Sequence, residues 1–380
     1  MFTLGEETLA IRDMARDFAS ERLAPHAVEW DEKKHFPVTE MREGAALGMG
    51  GIYVKEDVGG SGLTRLDAAV IFEALATGCP TVSAYMSIHN MCAWMVDKFA
   101  NDDQRHAWLP ALVSMEKCAS YCLTEPGAGS DAAALSTRAE RSGNHFVLNG
   151  QKQFISGAGN ADDFYVVMAR TGGPGPKGIS TFVVEGGTPG LSFGANEKKM
   201  GWNAQPTRAV IFDNCRVPAA NMIGNEGDGF KIAMAGLDGG RLNISACSVG
   251  GAQAALDKAL SYANERMAFG KKLNEFQALQ FRLADLAIEL EAARLYLYAA
   301  AASYDRNDPD RTQKIAGAKR FVTDTGFNVA NGALQILGGY GYLSEYGIEK
   351  IVRDLRVHQI LEGTNEIMRL IVARALVAAS

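Results

Sequence analysis

The apolar residues of this chain recur with a helical period at both ends and a strand period between. That double switch admits only a fold with separately packed helical and β parts. Residues 6–30 read as one amphipathic helix carrying Leu9, Met14, Phe18, Leu23 and Val28. Further helical stretches span 67–77 and 84–99, parted by the turn-forming Gly78-Cys79-Pro80, and Pro110 opens a short one that runs to about Lys117. From Ala119 the character shifts. His145–Leu148, Asn149-Gly150 and Gln151–Ile155 read as a hairpin, with Asn-Gly supplying the positive φ angles of a tight turn. Strand-like runs come next at 164–169, 179–184 and 208–212, and the Gly/Pro-rich stretch 171–178 links two of them. From about Phe230 the period is helical again. Leu279, Leu283, Leu286, Leu290, Ala293, Leu297, Ala300 and Tyr304 alternate at spacings of four and three, the seam of a long bundle helix. Asn307-Asp308-Pro309 stops it, and 311–336 resumes as another helix. At 380 residues the chain exceeds a single core. The expected division is an N-terminal α-helical domain (1–118), a central β-barrel domain (119–229) and a C-terminal α-helical bundle (230–380), mainly α with a central β domain.

Composition excludes several classes of function. With 47% hydrophobic and 22% charged residues the chain is globular rather than disordered. A net charge of −6 without any Lys/Arg-rich run argues against a nucleic-acid partner. Cys79, Cys92, Cys118, Cys122, Cys215 and Cys247 form no CxxC pair, which fits a reducing compartment and no structural zinc. The six histidines show no ligand spacing, so no metal site is expected, and there is neither a GxSxG elbow nor a Walker loop. No apolar run approaches the ~18–20 residues of a membrane span. Acids among the first apolar residues fit neither a secretory signal nor a transit peptide. The expected location is a bacterial-type cytoplasm, or the mitochondrial matrix for a mature form.

Five constellations carry chemical interest, each with a plainer explanation beside it. Gly127-Ala-Gly129-Ser-Asp-Ala132 matches GxGxxA, but the residues after it read as a hairpin rather than the crossover helix of a dinucleotide fold. A glycine-rich loop explains it as well, and so does a backbone cradle, helped by Thr124 and Ser130, for a cofactor's polar edge. Asp238-Gly239-Gly240-Arg241 sets two glycines in a helix at a cost of about 1 kcal/mol each, which suits either the close approach of a backbone or ligand, or a helix kink or tight helix crossing. Arg266-x-x-Phe-Gly270 suits pyrophosphate recognition, although a C-terminal helix charge is the commoner case. Gln335-x-x-Gly338-Gly339 has one glycine more than a helix cap needs. Glu362 comes after Ile360 and Leu361, and a carboxylate against apolar groups is raised towards the range of a general base. Taken alone, an acid near a helix N-terminus is the better reading of Glu362, with Thr364 and Asn365 as candidate caps.

Taken together and in order, these segments resemble the acyl-CoA dehydrogenase family over essentially the whole chain. The carrying motifs are Tyr121-Cys-Leu-Thr-Glu-Pro-Gly-Ala-Gly-Ser-Asp131, Phe154-Ile-Ser156, Asp238–Arg241, Arg266-x-x-Phe-Gly270, Gln335-x-x-Gly-Gly339 and Glu362-Gly-Thr-Asn-Glu366. Residues 170–180, 201–208 and 358–362 are most similar to the branch that acts on isobutyryl-CoA. The resemblance implies an α-bundle, β-barrel, α-bundle subunit that binds FAD and assembles as a homotetramer. By position, Tyr121, Cys122, Leu123, Thr124, Gly127, Gly129, Ser130, Phe154, Ile155 and Ser156 would hold the flavin. Arg266, Phe276, Gln277, Gln335, Gly338 and Gly339 would reach it across a subunit interface, and Thr364, Asn365 and Glu366 would complete that site. Ser130, Asp238, Gly239, Gly240, Arg241 and Arg374 would contact the acyl-CoA.

Glu362 falls where most of the family places its catalytic base. Some branches carry the base one residue before the arginine of the substrate motif; here that position is Gly240, which has no side chain to serve. Many members have Tyr just before the catalytic Glu, whereas this chain has Leu361, as the isobutyryl-type branch tolerates. The implied reaction is α,β-dehydrogenation of isobutyryl-CoA to methacrylyl-CoA, a step of valine breakdown. Glu362 would take the α-proton while the β-hydrogen passes to flavin N5. The flavin ribityl 2′-hydroxyl and the Glu362 backbone N–H would steady the thioester oxygen. Electron-transfer flavoprotein is the implied electron acceptor. Rival readings are a 2-methylbutyryl-CoA or butyryl-CoA dehydrogenase, an acyl-CoA oxidase, and a non-enzymatic nucleic-acid-binding relative.

Overall fold

The computed structural model describes residues 4–160 and 162–379. Its first part is helical: α1 (Glu6–Phe18), α2 (Ala27–Lys33), α3 (Val38–Gly44), α4 (Arg65–Gly78), α5 (Pro80–Phe99) and α6 (Asp102–Val113). The stretch read as one helix over 6–30 is helical but broken. A wide turn over 19–23 and a tight one over 24–26, which contains Pro25, separate α1 from α2. Pro110 does not open a helix either. It lies inside α6, which starts from a reciprocal cap between Asn101 and Gln104.

Next come β1 (Ala119–Cys122), β2 (Arg138–Ser142), β3 (His145–Ser156), β4 (Phe164–Arg170), β5 (Ile179–Glu185), β6 (Leu191–Phe193), β7 (Thr207–Pro218) and β8 (Met222–Ile223). They form one eight-stranded sheet in the order β6-β7-β3-β2-β4-β5-β8, with β1 parallel to β4. The Asn149-Gly150 hairpin is absent, because β3 runs straight through it. Gly150, at φ 145°, marks a register shift against β7, and a Cβ there would lie 2.7 Å from Thr137. The hairpin turn is instead at Gly143-Asn144, between β2 and β3.

Strand β4 shows how the sheet is held. Tyr165, Val167 and Ala169 join an inner core with Phe146, Leu148 and Phe182. The alternate residues Phe164, Val166 and Met168 pack into a second core with Met91, Met95, Leu112 and Ile232 of the helices. Both faces are therefore dry, which is why β4 reads as an unbroken apolar run.

The last part holds α7 (Gly229–Glu265), the short pair β9 (Met267–Ala268) and β10 (Lys271–Lys272), α8 (Gln277–Asp305), α9 (Arg311–Leu337), α10 (Ile348–Arg356) and α11 (Asn365–Ala379). The heptad seam of α8 is buried from Leu283 to Ala300. The corner before β7 is bolted to α10. Trp202 donates its backbone N–H to Asp354 Oδ1 at 2.6 Å and its indole N–H to His358 Nε2 at 3.2 Å. Arg353 donates to the Met200 carbonyl at 3.0 Å, and a Cβ on Gly201 would lie 2.6 Å from the Arg353 backbone. All six cysteines are free and buried. Among the described residues, no helix is long and apolar enough to cross a membrane.

Candidate active site

The end of β1 and the end of β3 lie side by side. Ser120 Oγ donates to the Ser156 carbonyl at 2.8 Å, and the Gln153 N–H donates to the Thr124 carbonyl at 2.8 Å. These bonds bring the segments Tyr121–Thr124 and Phe154–Ser156 together, although a loop and a hairpin separate them in the chain. Phe154 adopts φ 59° and is 64% exposed, a costly backbone state for an aromatic residue. Cys122, Leu123 and Ile155 turn their side chains into the two cores, so they offer only backbone to a ligand. Beyond β1 the chain enters an open loop. A Cβ on Gly127 or Gly129 would meet nothing within 4 Å, and Ser130 is exposed. No crossover helix comes after it, so the dinucleotide-fold reading of this loop does not apply.

Glu125, in the same loop, is anchored. Its carboxylate accepts from Ser136 N and Oγ, Thr137 N and Lys152 Nζ at 2.6–2.9 Å. Burial alone would raise its pKa, but the Lys152 charge and these bonds bring it down to about 2.

The second half of the site is built on α7. Arg241, 5% exposed, donates through Nη1 to Asp238 Oδ1 at 2.8 Å and through Nε to the Glu362 carbonyl at 3.1 Å. The two glycines before it have different neighbours. A Cβ on Gly239 would lie 2.5 Å from Arg65 Nη1, and one on Gly240 would lie 2.1 Å from Glu362 Oε2. What comes close to this pair is neither a backbone nor a ligand but two side chains, Arg65 at Gly239 and the Glu362 carboxylate at Gly240.

Glu362 sits at φ 57° and Gly363 at φ 88°, two consecutive left-handed residues just before α11. Oε2 is buried without a hydrogen-bond partner. Burial raises the carboxyl pKa to about 7, against the pull of the Arg241 and Lys319 cations. An ordinary helix-start acid would be solvated and lowered by the dipole; this one is neither. Thr364 Oγ1 accepts from Ile367 N at 3.4 Å and caps α11, while Glu366 is exposed and pairs with Arg369. The Asn365 carboxamide is buried and turned towards α9, where it meets Lys319, Thr323 and Asp324.

Two residues of this neighbourhood escape a reading of the sequence. Lys319 is fully buried on α9 and donates to the Gly363 carbonyl at 2.8 Å and to Asn365 Oδ1 at 2.9 Å. Arg65, at the first position of α4, is 4% exposed and lies over the rings of Tyr53 (3.6 Å), Trp94 (4.7 Å) and Tyr304 (5.2 Å). A sequence signal exists for Lys319. Ile315, Lys319, Val322, Gly326, Val329, Ala333 and Ile336 alternate by four and three, so the lysine interrupts an apolar stripe.

The remaining expected residues lie elsewhere. Arg266, Gly338 and Gly339 line a cleft of about 380 Å³ with Tyr262, Tyr340 and Leu343. Gln335 is exposed at the same end of α9, with Gln277 and Phe276 at the start of α8. Along α9, Gln335 is about 24 Å from Lys319 at 1.5 Å per residue, so one chain does not bring this group to Glu362. Arg374 is exposed on α11, about 14 Å along that helix from Asn365.

Residues 5–116, 120–215 and 227–377 match the N-terminal, middle and C-terminal domains of acyl-CoA dehydrogenases, in that order. The chain is 57% identical to the mitochondrial isobutyryl-CoA dehydrogenase of Bos taurus, covering 98% of this chain and 89% of that one. Identity to the Dictyostelium discoideum mitochondrial isobutyryl-CoA dehydrogenase is 55%, with coverage of 98% and 90%. Among solved structures, butyryl-CoA dehydrogenase from Megasphaera elsdenii superposes with a TM-score of 0.95 at 39% identity, covering 99% and 100%. The FAD complex of PigA gives 0.95 at 30% identity, covering all of both chains. A chain described with the electron transferring flavoprotein of Acidaminococcus fermentans gives 0.96 at 39%, covering 99% of each.

Proposed function

Because this chain belongs to the acyl-CoA dehydrogenase family, and its chemistry is the dehydrogenation of an acyl-CoA, we propose that it converts isobutyryl-CoA to methacrylyl-CoA with Glu362 as the base. The observation that carries the base assignment is the Glu362 carboxylate. It is buried, one oxygen has no partner, and its pKa is pushed up to about 7. Such a group is about half deprotonated near pH 7, and its carboxylate form is basic enough to take a proton. The substrate assignment rests on the two isobutyryl-CoA dehydrogenases that share more than half of this sequence.

In the proposed reaction Glu362 Oε2 removes the α-proton of the thioester, and the electrons of that C–H bond move towards the carbonyl. The Glu362 backbone N–H steadies the oxygen. Gly240 leaves the space in which the carboxylate sits, and Arg241 holds the Glu362 carbonyl in place. Asp238, Arg241 and Ser130 are the proposed acyl-CoA contacts, with Arg374 further along α11. Burial keeps Tyr121, Cys92 and Cys247, which lie within electrostatic range of the carboxylate, in their uncharged forms.

The residues present fit FAD. The open Gly127–Ser130 loop, the exposed and strained Phe154, and the joined ends of β1 and β3 make a cradle without a side chain to fill it. Tyr121–Thr124 and Phe154–Ser156 would hold the cofactor in one chain. Arg266, Phe276, Gln277, Gln335, Gly338 and Gly339 would meet that of a neighbour. FAD, when bound, supplies the acceptor for the β-hydrogen and its electron pair. A homotetramer is proposed to bring the separated halves together. Phe281, Ile288 and Leu295 support it, because they repeat every seven residues on α8 and are 42–67% exposed. An electron-transfer flavoprotein is the proposed outlet for the electrons, and a mitochondrial matrix or bacterial cytoplasm the proposed setting. The proposed units are 1–118, 119–229 and 230–380.

The test is an anaerobic panel of isobutyryl-, 2-methylbutyryl- and butyryl-CoA, monitored by flavin absorbance. Isobutyryl-CoA should bleach the flavin fastest, and Glu362→Gln should retain the flavin but bleach at least about 10³-fold more slowly. Faster bleaching by butyryl-CoA would remove the substrate assignment, and normal bleaching of the Gln variant would remove the base.

A further inference from the structure

The loop that carries Glu362 is held in a conformation it would not choose. Two left-handed residues in succession, the first of them a glutamate, need outside restraint. The restraint comes from two helices. On one side Arg241 Nε of α7 bonds the Glu362 carbonyl at 3.1 Å. On the other, Lys319 Nζ of α9 bonds the next carbonyl, that of Gly363, at 2.8 Å. Lys319 is itself fixed by Asn365 Oδ1 at 2.9 Å, and Asn365 is fixed by Asp324 and Thr323. A lysine without any exposed surface is expensive to keep. Its ammonium donates to groups of residues 363 and 365, a carbonyl and a carboxamide, rather than to a carboxylate.

We infer that Lys319 is a positioning residue for Glu362: with Arg241 it clamps the two consecutive carbonyls of the base's loop and places a fixed cation behind the carboxylate. This rests on the reading of Glu362 as the base. The charged groups facing Glu362 are Arg241 from α7 and Lys319 from α9. Tyr53, Tyr121, Cys92 and Cys247 lie within electrostatic range of it, and burial keeps them neutral. Around Lys319 stand Glu362, Arg241, Asp324, Glu366 and the neutral, buried His358. Burial brings the Lys319 ammonium down to about 8, so it is still a cation where Glu362 titrates. Removing that cation leaves only Arg241 to favour the carboxylate, so the base must become harder to deprotonate.

The experiment is a pH profile of kcat/KM with isobutyryl-CoA on the flavin-loaded enzyme. It compares the wild type with Lys319→Gln, Lys319→Arg, Asn365→Ala and Glu362→Gln, each checked for its thermal midpoint. Lys319→Gln should move the acid limb upward by about one pH unit and so lose about fivefold at pH 7 and roughly tenfold at pH 5, with most of that loss recovered at pH 9. Lys319→Arg should keep the limb where it is. A folded Lys319→Gln enzyme with an unmoved limb overturns the inference. If Lys319→Gln does not fold, Asn365→Ala decides. A fall in kcat of roughly fivefold or more, with KM within about twofold, supports the clamp, and an unchanged kcat overturns it. Full activity in Glu362→Gln sinks the base assignment instead, whatever the Lys319 variants do.

Discussion

Glu125 and Glu362 are both withdrawn from water, one in the β region and one between helices, and their fates are opposite. Glu125 has four donors within 2.9 Å, one of them the Lys152 ammonium, and its carboxyl is held near 2. Glu362 has an oxygen with no donor at all, and its carboxyl rises to about 7. Burial is common to both, so burial is not what makes a reactive acid. The difference lies in whether the fold satisfies the charge. At Glu125 both oxygens are answered and the group ties β3 to the glycine-rich loop. At Glu362 the fold supplies space, through Gly240, and withholds hydrogen bonds.

Three experiments press on that contrast. The largest effect should come from Glu125→Ala, which strands the fully buried Lys152 ammonium. A loss of about 3–5 kcal/mol is expected in urea unfolding. A loss below about 1 kcal/mol would make Glu125 another loosely held acid and erase the contrast. Next is Gly240→Ala, whose new Cβ would overlap the Glu362 carboxylate. Alanine favours the helix by about 1 kcal/mol, so the protein should remain folded while kcat falls on the order of 10²-fold. Wild-type turnover would mean that the carboxylate does not need that space.

The smallest effect concerns stability against pH. The Glu362 pKa rises from an ordinary 4.5 to about 7 on folding. The folded chain therefore keeps a proton that the unfolded chain has already lost, and stability drops as pH climbs through that window. Glu362→Gln removes this dependence. Its thermal midpoint should exceed that of the wild type by more at pH 8 than at pH 5, a gap of at most about 3 kcal/mol. An equal gap at both pH values would say that the carboxylate is already satisfied.

Local patterns exposed most of the architecture. The heptad seam of α8 and the apolar run of β4 could be read directly, because each side chain's burial reflects its own neighbours in sequence. What misled was context. Asn149-Gly150 has the residues of a tight turn, but the long pairing of β3 with β7 outweighs them, and the glycine accommodates Thr137 instead. Pro110 sits within α6 because the Asn101 cap starts that helix two turns earlier. At the site, the motif positions were legible and the energetics were not. Nothing local to Glu362 shows that α7 comes within touching distance of it. Lys319 announced itself only as a charge on an otherwise apolar stripe. Arg65, placed just after a helix cap, looks like any exposed first-turn residue, although three aromatic rings enclose it.

The corner at Trp202 has a bearing on how such chains can be recombined. Met200, Gly201 and Trp202 belong to the β region, yet they engage Arg353, Asp354 and His358 of the last helical region. His358 lies four residues before Glu362. A crossover between two parental sequences anywhere from 203 to 352 would split this matched set between two inheritances. Hybrids that draw both segments from one parent keep the seam intact. Those that do not would pass the mismatch one turn along the chain to the acid, so the middle and final regions are separable by eye but not by ancestry.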